Sequence, residues 1–127
     1  MARSQLRPTD TELAILRVLW ERGASTVRQV HDALAGTRDT GYTTTLKLMQ
    51  IMADKGLVRR NETERTHVYS AIAGQEQTQR QLVQDLVDRA FGGSAAQLVL
   101  RALSTDDATD AELKEIRKLI DDYREKR

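Results

Sequence analysis

GYTTTLKLMQIMADKGLVRR, residues 41–60, opens with a tyrosine and three threonines and then turns apolar at helical spacing. Threonine is a mediocre helix former, because its branched side chain loses rotamer freedom against the preceding turn. At about 100° per residue, Thr45, Leu48, Met49 and Met52 gather on one side, while Thr43, Lys47 and Gln50 lie nearly opposite. Lys55-Gly56 supplies a cation and a glycine, both suited to a helix C-terminus. A helix with this polar opening has the form of a recognition helix, whose N-terminal residues enter the DNA major groove in a helix-turn-helix.

The flanking sequence supports that frame. Thr9 and Glu12 form a capping box after Pro8, and Leu13, Leu16, Leu19 and Trp20 follow on one face before Gly23. Thr26 and Gln29 form a second box, with Val27, Val30 and Leu34 as the stripe and Gly36 as the stop. Downstream of Gly56, the β-prone runs 57–60 and 66–72 flank the polar stretch NETER, a hairpin signal. Three helices and a hairpin predict a winged helix-turn-helix in residues 1–73.

From Gly74 the pattern is purely helical. Leu82, Val83, Leu86, Val87 and Ala90 form a stripe that ends at Phe91-Gly92-Gly93. Ser94 and Gln97 cap a helix carrying Leu98, Leu100 and Leu103. Thr109 and Glu112 cap a last one, in which Leu113, Ile116, Ile120 and Tyr123 have coiled-coil-like spacing. Three short helices bury little surface alone. Residues 74–127 are therefore expected to dimerise with a second copy through Leu82, Leu86, Leu98, Leu113, Ile116, Ile120 and Tyr123. The expected fold class is mainly α with a small β-hairpin: a winged helix-turn-helix domain followed by a helical dimerisation domain.

Composition narrows the function. The net charge of +1 divides into 11 Lys/Arg against 8 Asp/Glu in residues 1–73, and 9 against 11 in residues 74–127. The basic front half is the one suited to a polyanion. No apolar run approaches the roughly 18 residues that cross a bilayer, so no membrane insertion is expected. MARSQLRPTD lacks the apolar stretch of a secretory signal, and a cytoplasmic location is expected. The absence of cysteine excludes disulfides and zinc–thiolate sites. His31 and His67 fall on different elements, a helix surface and the wing, and assemble no metal site. No cofactor is expected. No nucleophile triad, phosphate-cradling loop or isolated carboxylate pair stands out, so the chain is not expected to be an enzyme.

The candidate DNA-binding residues are Tyr42, Thr43, Thr44, Lys47, Gln50, Arg60 and Arg65. Short hydroxyls reach phosphates or base edges, and Lys47 suits guanine or phosphate. The alternative for Thr43 and Thr44 is simple filling of the helix cap; Thr45 points inward, to the core. Arg59, Arg60 and Arg65 make the hairpin basic, which fits the phosphate backbone or minor groove; the alternative is a charged, aggregation-resistant edge. A winged helix used as a protein-interaction module without DNA is the second function, kept open by Leu46 and Ile51.

The sequence resembles the penicillinase-repressor family (BlaI/MecI/CopY). The resemblance runs through PTDTELAILRVLW, TVRQVHDAL, YTTTLKLMQIMADKGLVRR, RTHVYSAI and FGGSAAQLVL, nearly the whole chain. It implies a homodimeric winged-helix repressor that binds a palindromic double-stranded DNA operator, its C-terminal helices entwined with the partner copy. By position, Thr43, Thr44 and Lys47 fall on the DNA-reading part of the recognition helix and Arg65 on the wing. The resemblance also implies a membrane sensor-protease as a partner of β-lactam-responsive members. Those members are cleaved at an Asn-Phe step, and the corresponding LVLRALS contains neither residue. Copper-responsive members carry a cysteine-rich hook, which DDYREKR lacks.

Overall fold

The computed structural model describes residues 7–105 and 108–126. MARSQL, the start of the stretch read as lacking a secretory signal, lies outside them. The elements run α1 (Asp10–Arg22), β1 (Ser25–Thr26), α2 (Val27–Leu34), α3 (Tyr42–Lys55), β2 (Val58–Asn61), β3 (Val68–Ala71), α4 (Gln75–Ala90), α5 (Ala95–Thr105) and α6 (Asp110–Glu125). The expected class, mainly α with a small β element, is the observed one. The chain divides into two compact units, one ending at Leu82 and the other beginning at Val83. The boundary expected at 73/74 falls at the start of α4.

In the first unit, both capping boxes close as the sequence requires. The Glu12 amide donates to Thr9 Oγ1 at 3.2 Å, and the Thr9 amide donates to Glu12 Oε1 at 2.9 Å. Thr26 and Gln29 repeat the exchange at 3.1 and 2.9 Å. α2 ends earlier than Gly36, at Leu34, with Ala35 as its cap. The hairpin acquires a third strand: the sheet order is β1-β3-β2, all antiparallel, with Ser25 opposite Tyr69 and Arg60 also opposite Tyr69 on the other side.

The core gathers Ile15, Leu16 and Leu19 from α1, Val30 and Leu34 from α2, Met49 and Met52 from α3, and Leu57, Val58 and Tyr69 from the sheet segment. The buried face of α1 differs from the expected Leu13 stripe. Glu12, Ile15, Leu16 and Leu19 occupy positions i, i+3, i+4 and i+7 and are all buried, while Leu13 is half-buried. A carboxylate therefore takes the first-turn position that an apolar residue would normally fill. It tolerates burial because Lys55 Nζ, at the far end of α3, donates to both its oxygens at 2.9 and 3.1 Å. That ion pair ties the C-terminus of α3 to the N-terminus of α1. Gly56, with φ +83°, ends α3 in the left-handed conformation that glycine alone adopts freely.

In the second unit, Gly92 and Gly93 both have positive φ, 56° and 86°, and the Gly93 amide returns to the Val87 carbonyl at 2.9 Å. This is why FGG stops α4. Ser94 Oγ accepts from the Gln97 amide at 3.2 Å, and Thr109 Oγ1 from the Glu112 amide at 3.1 Å, so both expected caps form. Among the described residues beyond Leu82, Val87 is the one buried apolar side chain. Val83, Leu86, Leu100, Leu113, Leu119, Ile120 and Tyr123 are exposed, and α6 has no buried residue. No helix among the described residues is long and apolar enough to cross a membrane.

Candidate nucleic-acid interface

The first turn of α3 decides what its threonines do. Gly41 is the N-cap and makes no side-chain cap bond, so Thr43 and Thr44 do not fill the cap. Both are exposed, as are Lys47 and Gln50. Thr45 turns inward as expected: it is fully buried, and its hydroxyl donates to the Gly41 carbonyl at 3.0 Å.

Tyr42, Leu46 and Gln50 form an i, i+4, i+8 row beside the core stripe. This row walls a groove of about 240 Å³ together with the start of α2 and the wing. Arg28 enters from α2, and Arg60, Arg65 and His67 from the wing. Four expected site residues, Tyr42, Gln50, Arg60 and Arg65, thus border one groove. Thr43, Thr44 and Lys47 lie outside it on the exposed surface of α3. Leu46, which kept the protein-interaction function open, packs on the core.

Tyr42 is held on two sides. The Arg28 guanidinium stands 4.6 Å from its ring centroid, within cation–π range. His31 meets the ring nearly perpendicular, at 5.8 Å between centroids and 82° between planes. His31 is consequently half-buried, not a plain surface residue, and its Nδ1 is buried without a hydrogen-bond partner. Arg28 and His31 sit one turn apart on α2 and clamp the first residue of α3, which fixes how the two helices meet.

Sequence reasoning missed Arg28, although a signal existed. It lies in the first turn of α2, where the helix dipole disfavours a cation. A charge placed against its own helix is a reason to look for an anion elsewhere.

The wing holds its own arrangement. Arg60 Nε donates to Glu62 Oε2 at 2.8 Å. A hydrogen bond with Tyr69 and then the Glu62 carboxylate raise the Arg60 pKa above its ordinary value, which reinforces a charge that is permanent anyway. Arg65 also borders the groove, and Arg59 is exposed on β2. No group of three or more His, Cys, Asp or Glu side chains able to hold a metal occurs among the described residues.

A family model described as penicillinase repressor matches residues 8–122. The transcriptional regulator BlaI of Mycobacterium tuberculosis, in strains CDC 1551 / Oshkosh and ATCC 25618 / H37Rv, is 36% identical over 92 residues, 72% of this chain and 67% of the relative. The solution structure of the DNA binding domain of the repressor BlaI is similar at a TM-score of 0.49 and 20% identity, covering 54% of this chain and 84% of that one. The family match begins at Pro8, ahead of the first capping box, takes in α3 and the wing, and ends inside α6; the chain belongs to the penicillinase-repressor family.

Proposed function

We propose that the chain is a cytoplasmic transcriptional repressor that binds a palindromic DNA operator as a homodimer. Residues 1–73 serve as the DNA-binding domain and residues 74–127 as the dimerisation domain. The observation that carries this reading is the convergence of Arg28, Arg60 and Arg65 on one groove beside the polar face of α3. In the major groove, Thr43, Thr44, Lys47 and Gln50 would meet base edges, while Arg28 and Arg65 hold phosphates on either side. BlaI, the 36% identical relative, is a transcriptional regulator by name, which agrees with this assignment. The exposed apolar residues of α4, α5 and α6 supply the surface for a second copy, because a unit of this size cannot cover them itself.

The test is a gel-shift with the upstream region of the chain's own gene at two salt concentrations. Binding should weaken steeply with salt, with a slope of about −0.9 per phosphate neutralised. Absence of binding even at low salt would remove the function.

Within that experiment, Lys47→Ala and Arg28→Ala should separate the two kinds of contact. Losing a bidentate base contact at Lys47 should cost about 1–3 kcal/mol and relax specificity at one operator position. Arg28→Ala should weaken binding similarly on every sequence and lower the salt slope by about one. Unchanged affinity in either variant takes that residue out of the interface.

A further inference from the structure

The wing carries two exposed carboxylates, Glu62 and Glu64, on a surface otherwise arranged for polyanions, and Glu62 is paired with Arg60. β2–β3 pairing sets Arg60 opposite Tyr69, which is buried. The turn then folds back, with Asn61 Oδ1 accepting from the Thr63 amide at 3.0 Å. Beside that turn, Glu62 reaches the Arg60 guanidinium at 2.8 Å. A carboxylate oxygen on a guanidinium N–H is the protein's counterpart of a phosphate oxygen there, since both are charged acceptors of the same donor, and here Arg60 uses its Nε on Glu62 Oε2. Arg60 borders the same groove as Arg28 and Arg65, so Glu62 occupies a position on Arg60 that a backbone phosphate would take.

Two further facts make exchange feasible. The side chains of Arg60 and Glu62 are 35% and 54% exposed, so the pair is screened by water and weak enough to open. Glu62 also lies well within a Debye length of any DNA strand that Arg60 could touch, about 10 Å at 0.1 M salt, so it repels that strand while it stays.

We propose that Glu62 is an internal phosphate mimic that occupies Arg60 in the unbound protein and lowers affinity for DNA of every sequence. Arg60 gives its Nε to a phosphate only when it leaves Glu62. The wing thereby contributes less sequence-independent affinity than its arginines would alone, and α3 carries a larger share of recognition. This rests on the DNA-binding function proposed above.

The test uses the full chain, its own upstream duplex, and an unrelated duplex of equal length, at about 50 and 200 mM salt. Glu62→Gln keeps an oxygen for Arg60 but removes the charge. It should bind both duplexes tighter, by about 3- to 10-fold at the lower salt, with the salt slope steeper by about one. Glu62→Ala should do the same, and thermal melting of both variants should match the parent chain. Arg60→Met should weaken binding and, when combined with Glu62→Gln, cut the gain to the small part that repulsion alone supplies. A gain of undiminished size in the Arg60→Met background would show that Glu62 acts by repulsion alone, and the mimic would be overturned. Unchanged or weaker binding by both folded Glu62 variants would overturn it as well. If the parent chain binds neither duplex, the DNA-binding function falls, and the mimic with it; if the parent binds and the variants do not gain, only the mimic falls.

Discussion

The full chain carrying Ile116→Lys and Ile120→Lys should sediment as a monomer at micromolar concentration and bind its operator about 10²–10⁴-fold more weakly than the parent. The loss arises without touching a DNA contact. Two half-site readers joined by a seam make the second contact intramolecular, and separating them returns each to its own affinity. Ile116 is half-buried and Ile120 exposed on α6, with Leu119 and Tyr123 at 61% and 65% exposure nearby. Ile116 and Ile120 both lie on a helix with no buried residue and contribute little to the unit's own stability, so lysines there should leave the monomer folded while placing charge in the proposed seam. Circular dichroism of the double variant checks the first point and sedimentation the second. A variant that stays dimeric would move the seam to Leu82 and Leu86, or to the Leu98–Leu103 face.

The second large effect is on stability. Lys55→Met should destabilise the winged-helix unit by about 3 kcal/mol, at the low end for a broken buried ion pair because Lys55 itself is partly exposed. The variant leaves the Glu12 carboxylate, at 2% exposure, with the Thr9 amide and no counter-charge. Combining it with Glu12→Leu should recover most of the loss, since a well-packed apolar pair often replaces a buried ion pair without penalty. Urea unfolding of the single and double variants measures both quantities. A single variant within about 0.5 kcal/mol of the parent would mean that water replaces Lys55 readily, and that α3 is not held to α1 by this pair.

Much of the fold was legible because its signals are local. Each capping box needs only residues three apart, and Thr9, Thr26 and Thr109 announced their helices without tertiary help. The inward turn of Thr45 followed from angular position alone. The features that escaped are those closed across the chain. β1 is two residues long, too short to show any period, and it pairs with Val68 and Tyr69 of β3. Glu12 read only as a capping carboxylate because nothing near it reveals Lys55, 43 residues away. In the site, the polar face of α3 was readable by helical geometry, whereas Arg28 and His31 gain their meaning only when α2 meets Tyr42. Arg60 was identified as a wing cation, but its pairing with Glu62 depends on a turn whose type no Asn-Gly or Asp-Gly announced.

Trp20 is the chain's single tryptophan, and its indole Nε1 donates to the Ala73 carbonyl at 2.8 Å, joining α1 to the exit of the sheet 53 residues later. Both residues belong to the unit that ends at Leu82. The chain therefore contains its own optical reporter, confined to one unit. Its emission should follow melting of the winged helix and stay silent while the helices beyond Val83 come apart, whereas far-ultraviolet ellipticity records both events. Two probes on one unmodified sample can thus time the loss of each unit separately, and a gap between their midpoints would measure how independently the two halves unfold.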